Sequence, residues 1–213
     1  MEGRINISIF SLAILLSISK VQAQQPNIVL FFSDDHTQRA IGAYQALDPY
    51  ATFGDYAGLE TPNIDRLASD GVVFSNSFVS NSICAPSRAN LLTGLHSHAN
   101  GKKTNVGSTF DGGQQTFPKL LQTAGYDTAL IGKWHLYSEP TGFNHYERLI
   151  GQGNYYKPVL RTTQPGGGTS DVVYTGGYIA EVITDRAINW LENKRDTSRP
   201  FFIMVNHKAT HAC

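Results

Sequence analysis

Three short stretches carry side chains whose types and spacing suit chemistry. Cys84-Ala85-Pro86-Ser87-Arg88 sets a thiol two residues before a proline and four before a guanidinium. Asp34-Asp35 closes one apolar run, and Gly132-Lys133-Trp134-His135 closes another. A cysteine sulfur can serve as nucleophile or metal ligand, and paired carboxylates are hard oxygen donors for a divalent cation. Arg88 offers a planar, permanently charged fork and Lys133 a point charge. His135 can donate a hydrogen bond, or a proton near neutral pH. Each has a plainer reading when taken singly. A lone cysteine is usually a buried thiol, an acid pair a solvated turn or helix cap, and a single Lys or His a surface residue.

Positioning these groups falls to an α/β pattern. Asn27-Ile28-Val29-Leu30-Phe31-Phe32 reads as a strand buried on both faces of a parallel sheet. Ligands gather at the carboxyl ends of such strands, where Asp34 and Asp35 fall. Neighbouring strand side chains point to opposite faces, so both acids meet one cation only if the chain has turned by Ser33. Residues 41–60 read as a loop. Thr61-Pro62 opens a helix that Gly71 ends. Val72, Val73, Phe74, Phe78 and Val79 suggest a strand, followed by a helix from Pro86 to Thr93 with Gly94 as its stop. Cys84 is thereby set near a helix N-terminus, where backbone N–H groups favour a developing anion. A helix over Thr116–Ala124 and a strand over Thr128–Ile131 deliver Lys133 and His135 to the same edge. Residues 138–178 read as one long loop rich in Gly, Tyr, Pro and Thr. A helix from Gly177 to Asn193 and a strand over Pro200–Val205 lead to Asn206-His207-Lys208-Ala209-Thr210-His211.

Composition bounds the answer. The 213 residues suffice for one domain with a sizeable core, and 17 basic residues balance 17 acidic ones, so the basic excess of a nucleic-acid binder is missing. Residues 1–23 read as an export signal: Arg4, an apolar stretch from Ile5 to Ile18, then Val21-Gln22-Ala23 as a small-x-small cleavage site. That stretch is short and interrupted for a membrane span, so a periplasmic or secreted protein without stable membrane insertion is expected. The two cysteines, Cys84 and Cys213, allow one disulfide on count; the pattern around Cys84 speaks for a side chain kept free.

Together, the three stretches resemble the N-terminal half of a type I sulfatase of the alkaline phosphatase superfamily, over residues 26–211. Pro140-Thr141-Gly142-Phe143 and Gly151-Gln152-Gly153-Asn154-Tyr155-Tyr156 look like bacterial sulfatases that act on sulfated glycans, including those removing 6-sulfate from N-acetylglucosamine. The resemblance implies an alkaline phosphatase-like α/β/α sandwich with a largely parallel central sheet. It implies that a formylglycine-generating or sulfatase-maturating enzyme oxidises Cys84 to formylglycine, whose hydrate is the nucleophile. Asp34, Asp35 and the converted Cys84 are then the metal ligands, with Ca2+ ahead of Mg2+. Arg88 and Lys133 hold the diol, while Lys133, His135 and His211 handle sulfate and protons. The implied activity is sulfuric ester hydrolysis on a sulfated carbohydrate. Thr210 stands where the family usually has proline before the sulfate-contacting His. Family members supply two more metal ligands, commonly Asp then Asn or His, and a second Lys from a later part, and no such pair follows Lys133. Residues 24–213 are therefore expected to be an incomplete N-terminal sulfatase domain, truncated at the C-terminus, with an apolar face and strand edges left open. Two alternatives stand beside this: a phosphoester or phosphonate hydrolase of the same superfamily, and a catalytically incomplete fragment.

Overall fold

The computed structural model describes residues 25–47 and 54–212; the expected export signal and Cys213 lie outside the described residues. A six-stranded sheet runs in the order β1-β6-β2-β3-β4-β5. Its strands are β1 (Ile28–Asp34), β2 (Asp127–Gly132), β3 (His145–Leu149), β4 (Val159–Thr163), β5 (Thr169–Val173) and β6 (Phe201–Thr210). β1, β6, β2 and β3 are mutually parallel, while β4 and β5 are antiparallel additions. The helices are α1 (Gly42–Leu47), α2 (Pro62–Asp70), α3 (Cys84–Thr93), α4 (Ser97–Asn100), α5 (Phe117–Thr123) and α6 (Ile179–Asn193).

Alternation along the central strands builds two cores and hence three layers. Leu130, Phe202 and Met204 face α3 and α5, meeting Ala85, Ala89, Leu92, Phe117 and Leu121. Ala129, Ile131, Ile203 and Val205 face the other way, onto Ile179, Val182, Ile183, Ala187 and Trp190 of α6. The expected α/β/α sandwich with a largely parallel sheet is what forms.

Several local expectations change. Among the described residues β1 is an edge strand, not one buried on both faces: Leu30 and Phe32 pack on the α3 core, but Val29 and Phe31 are 47 % and 64 % exposed. The reason is coverage, because α6 lies over β2 and β6 and not over β1. Residues 72–79 form no strand. Val72, Phe74, Phe78 and Val79 are all exposed, since an apolar run becomes a strand only when a neighbour pairs its backbone. The expected loop over 138–178 instead contains β3, β4 and β5, and the expected loop over 41–60 contains α1. Gly166-Gly167-Gly168, all at positive φ, make the tight turn between β4 and β5.

A buried carboxylate pins β3 to α6. Glu147 is fully buried and accepts hydrogen bonds from Arg186 Nε at 2.6 Å, Arg186 Nη2 at 2.9 Å and Lys194 Nζ at 2.9 Å, with His145 Nε2 at 3.0 Å. Burial alone would raise its pKa, but hydrogen bonds from His145, Arg186 and Lys194 outweigh that and hold it well below the usual carboxylate range. A depressed carboxylate contributes stability that is present above its unfolded pKa and lost as pH falls through the folded one. Glu147→Gln is expected to cost about 3–5 kcal/mol in urea unfolding at neutral pH, with the gap to the parent narrowing on acidification. Phe31→Ser, on the open face, is expected to change stability by less than about 0.5 kcal/mol.

Candidate active site

Strand register puts three chain ends at one level. Phe32 of β1 and Gly132 of β2 both pair with Asn206 of the intervening β6, so Asp34 and Lys133 emerge on either side of it. Gly132 is held at φ 109, and a Cβ there would lie 2.1 Å from the Asn206 carbonyl oxygen, so only glycine lets these two strands close. Asn206, 1 % exposed, donates through Nδ2 to the Lys133 carbonyl at 2.9 Å and accepts the Lys133 N–H at 2.8 Å. Gly132→Ala is expected to destabilise the chain by more than about 2 kcal/mol in urea unfolding, with the loss of cooperative packing around Lys133.

Cys84 is the first residue of α3, whose N-cap is Ile83. No side chain caps the helix from position 83; the Ala85 N–H is taken by Asn105 Oδ1 at 2.9 Å instead. One turn on, Arg88 points back into the sheet edge. Its Nη1 donates to the Lys133 carbonyl at 2.8 Å and its Nη2 to Asp34 Oδ1 at 3.3 Å, and the side chain is 2 % exposed. Lys133 Nζ donates to the other oxygen, Asp34 Oδ2. Burial would raise the Asp34 pKa, but the hydrogen bond from Lys133 and the charges of Arg88 and Lys133 outweigh it and hold the carboxyl below its ordinary value.

Asp34, Cys84 and His211 each offer a donor atom, and these atoms lie within 4.8 Å of one another. Asp35 sits at φ 54, so the chain has turned immediately after β1; its more exposed carboxylate lies 3.7 Å from His211 Nε2. Asp34, Asp35, Ser87, Cys84 and Arg88 line one cavity of about 340 Å³. Thr210, bonded by a cis peptide to Ala209, donates to the Asp35 carbonyl at 3.2 Å. The Tyr155 hydroxyl donates to the His211 carbonyl. Tyr155 is thus a packing residue, stacked on Tyr178 with centroids 5.5 Å apart.

Two environments refine the expected roles. The Cys84 thiol is pushed up by burial and by the charges of Asp34 and Asp35, against the opposing pull of Lys133 and Arg88. It is a protonated thiol and not the activated thiolate of a cysteine nucleophile. His135 is pulled down to about 4 by burial, then by the positive charges of Lys133 and Arg88. At neutral pH this favours the neutral imidazole, which has one N–H to donate and one nitrogen to accept.

The donor set fits a hard divalent cation on one condition. The donors that cluster are Asp34, Cys84 and His211, with the expected ligand Asp35 outside that group, and a thiol at position 84 is a soft donor beside a carboxylate. An oxygen at that position makes the set consistent. Sequence reasoning missed Asn105 and Asn206. Asn206 had the only available signal, a polar residue following five apolar ones in a buried strand.

The sulfatase family model matches residues 26–213. The chain belongs to the sulfatase family. It is 44 % identical over 208 residues to N-acetylglucosamine-6-O-sulfatase of Bacteroides thetaiotaomicron, covering 96 % of this chain and 34 % of that protein. N-acetylgalactosamine-6-sulfatase of Canis lupus familiaris is 30 % identical, over 89 % of this chain and 40 % of its own length. A solved structure of a protein in complex with its substrate D-glucosamine-2-N,6-O-disulfate superposes with a TM-score of 0.76 at 46 % identity, covering 88 % of this chain and 35 % of that one. The phosphonate monoester hydrolase of Agrobacterium radiobacter shares the fold, with a TM-score of 0.62 at 22 % identity. The sulfatase chain described here thus spans between about a third and two fifths of the length of these curated relatives.

Proposed function

We propose that this chain carries the nucleophile-bearing part of a sulfuric ester hydrolase acting on a sulfated amino sugar of glycosaminoglycan type, with a 6-sulfate as the favoured ester. One observation carries the proposal: Asp34, position 84 and His211 converge at the strand ends, with Arg88 and Lys133 both clasping Asp34. The 44 % identity to an N-acetylglucosamine-6-O-sulfatase supports the sugar. Export to the periplasm or beyond belongs to the same proposal, on the strength of the pattern in residues 1–23.

Formylglycine at position 84 is supported by the Cys84-Ala85-Pro86-Ser87-Arg88 stretch and by membership of the sulfatase family. A bound divalent cation, with Ca2+ favoured by the oxygen donors, would be held by Asp34, Asp35 and the converted residue 84, and would acidify a hydroxyl and offset sulfuryl charge. The remaining work falls to the chain's own side chains. The positive end of the α3 dipole, at Cys84, favours the ester's developing charge, although the Ala85 N–H is already taken by Asn105 and Pro86 has none. Arg88 and Lys133 supply fixed positive charge from buried positions, where it is least screened. Neutral His135 contributes a hydrogen bond, and His211 approaches from the end of β6 to contact the sulfate.

The test is the mass of the peptide containing residue 84 after co-expression with a maturating enzyme. Conversion turns the thiol-bearing carbon into an aldehyde, so the peptide loses one sulfur and two hydrogens and gains one oxygen. An unchanged mass under conditions that convert a known sulfatase would remove the proposed nucleophile. In a full-length protein carrying this segment, Cys84→Ala is expected to abolish release of sulfate from a 6-sulfated amino sugar while leaving the melting temperature within the range of a surface substitution. Faster turnover of an aryl phosphate than of an aryl sulfate would favour the phosphoester alternative.

A further inference from the structure

Tyr137 occupies a costly backbone position beside the site. It sits at φ 60, in the left-handed region that bulky residues avoid, and His135 two residues earlier sits at φ 55. Such outliers persist only where surrounding contacts fix them, and they cluster at functional sites. The contacts here are specific. The Leu136 carbonyl accepts the Phe110 N–H at 3.0 Å, and Trp134 Nε1 donates to the Ser138 carbonyl at 2.7 Å. Lys102 Nζ lies 5.0 Å from the centroid of the Tyr137 ring. The Tyr137 ring itself is 56 % exposed, so core packing does not account for it.

The strained turn brings the Tyr137 hydroxyl to 3.4 Å from His135 Nε2, with the two ring centroids 5.5 Å apart. The other ring nitrogen, His135 Nδ1, is buried and has no hydrogen-bond partner among the described residues. A neutral imidazole has one N–H and one bare nitrogen, and a donor at one nitrogen forces the proton onto the other. We propose that Tyr137 is a positioning residue for His135: its phenol donates to Nε2 and so fixes the imidazole with its proton on Nδ1. His135 then presents one unshared N–H beside the cluster of Lys133, Arg88 and Asp34. The groups that hold it neutral are Lys133, Arg88 and Lys102 on the positive side, against Asp34. Resting on the hydrolase proposal, the fixed tautomer keeps an uncharged imidazole in one orientation behind Lys133; its Nδ1 is buried, and His135 does not itself line the cavity of Asp34, Cys84 and Arg88. A phenol is the required donor, because an arginine or lysine at 137 would add charge beside Lys133.

The tautomer is directly observable. Long-range 15N–1H spectra of the histidine rings in the 15N-labelled chain, at neutral pH, are expected to show His135 protonated at Nδ1 and bare at Nε2. In Tyr137→Phe, which keeps the ring and the backbone but loses the hydroxyl, the Nε2–H form is expected to appear. His135→Gln assigns the resonances. A parent His135 carrying its proton on Nε2, a doubly protonated ring at neutral pH, or a Tyr137→Phe spectrum identical to the parent's would each overturn the proposal. Should Tyr137→Phe fail to fold, the parent spectrum alone decides. The readout is a ring proton and not turnover, so its failure leaves the hydrolase proposal untouched, and an inactive chain can still give the expected result.

Discussion

The Asp34 carboxylate is the knot of this structure. It ends β1, and it is gripped on one oxygen by Arg88 from α3 and on the other by Lys133 from the end of β2. All three side chains are nearly withdrawn from water. Burying one carboxylate with two cations is costly unless the geometry satisfies each of them, and it fixes the relative placement of three elements far apart in sequence. The nucleophile position rides on this arrangement, because Cys84 lies one helical turn before Arg88 on α3. Two cations against the one carboxylate of Asp34 leave a single surplus positive charge, which Asp35 offsets in the absence of a bound cation.

Charge and burial together divide labour among groups that look alike in the sequence. Asp34 is buried and clasped, whereas Asp35, its immediate neighbour, turns outward through a positive φ toward His211. Lys133 and His135 are two residues apart, yet the charge of the first helps to strip the second of its proton. Cys84 sits at a helix N-terminus, a place that usually favours a thiolate, but burial and two carboxylates win. A pair of acids, a helix end and a histidine thus take roles set by their surroundings.

Much of this was legible in advance. The apolar runs before Asp34 and Lys133 and after Pro200 marked three of the four parallel strands, and the Gly94 stop and the apolar face of 179–191 marked α3 and α6. The convergence of positions 34, 133 and 211 follows from strand ends sharing one edge, whereas position 84 arrives at the start of α3 from a segment that forms no strand. What escaped was whatever depends on neighbours. The burial of β1 on both faces was inferred from composition alone, but composition does not say whether a helix covers a given face. The run over 72–79 has the residues of a strand without a partner strand. The meander β3–β4–β5 hid in a Gly- and Tyr-rich stretch because its alternation, as in Leu160 and Thr162, is short and interrupted by turns. Asn206 and Tyr137 work through hydrogen bonds to residues that only the folded chain brings near.

The most direct measurement is a double-mutant cycle between Asp34 and Arg88 on the same chain, using Asp34→Asn and Arg88→Met in urea unfolding. If the strand ends and α3 meet at this carboxylate, the two substitutions are expected to be non-additive by about 1–3 kcal/mol. Effects that add to within about 0.3 kcal/mol would mean that the two side chains do not meet, and the site built upon them would not exist.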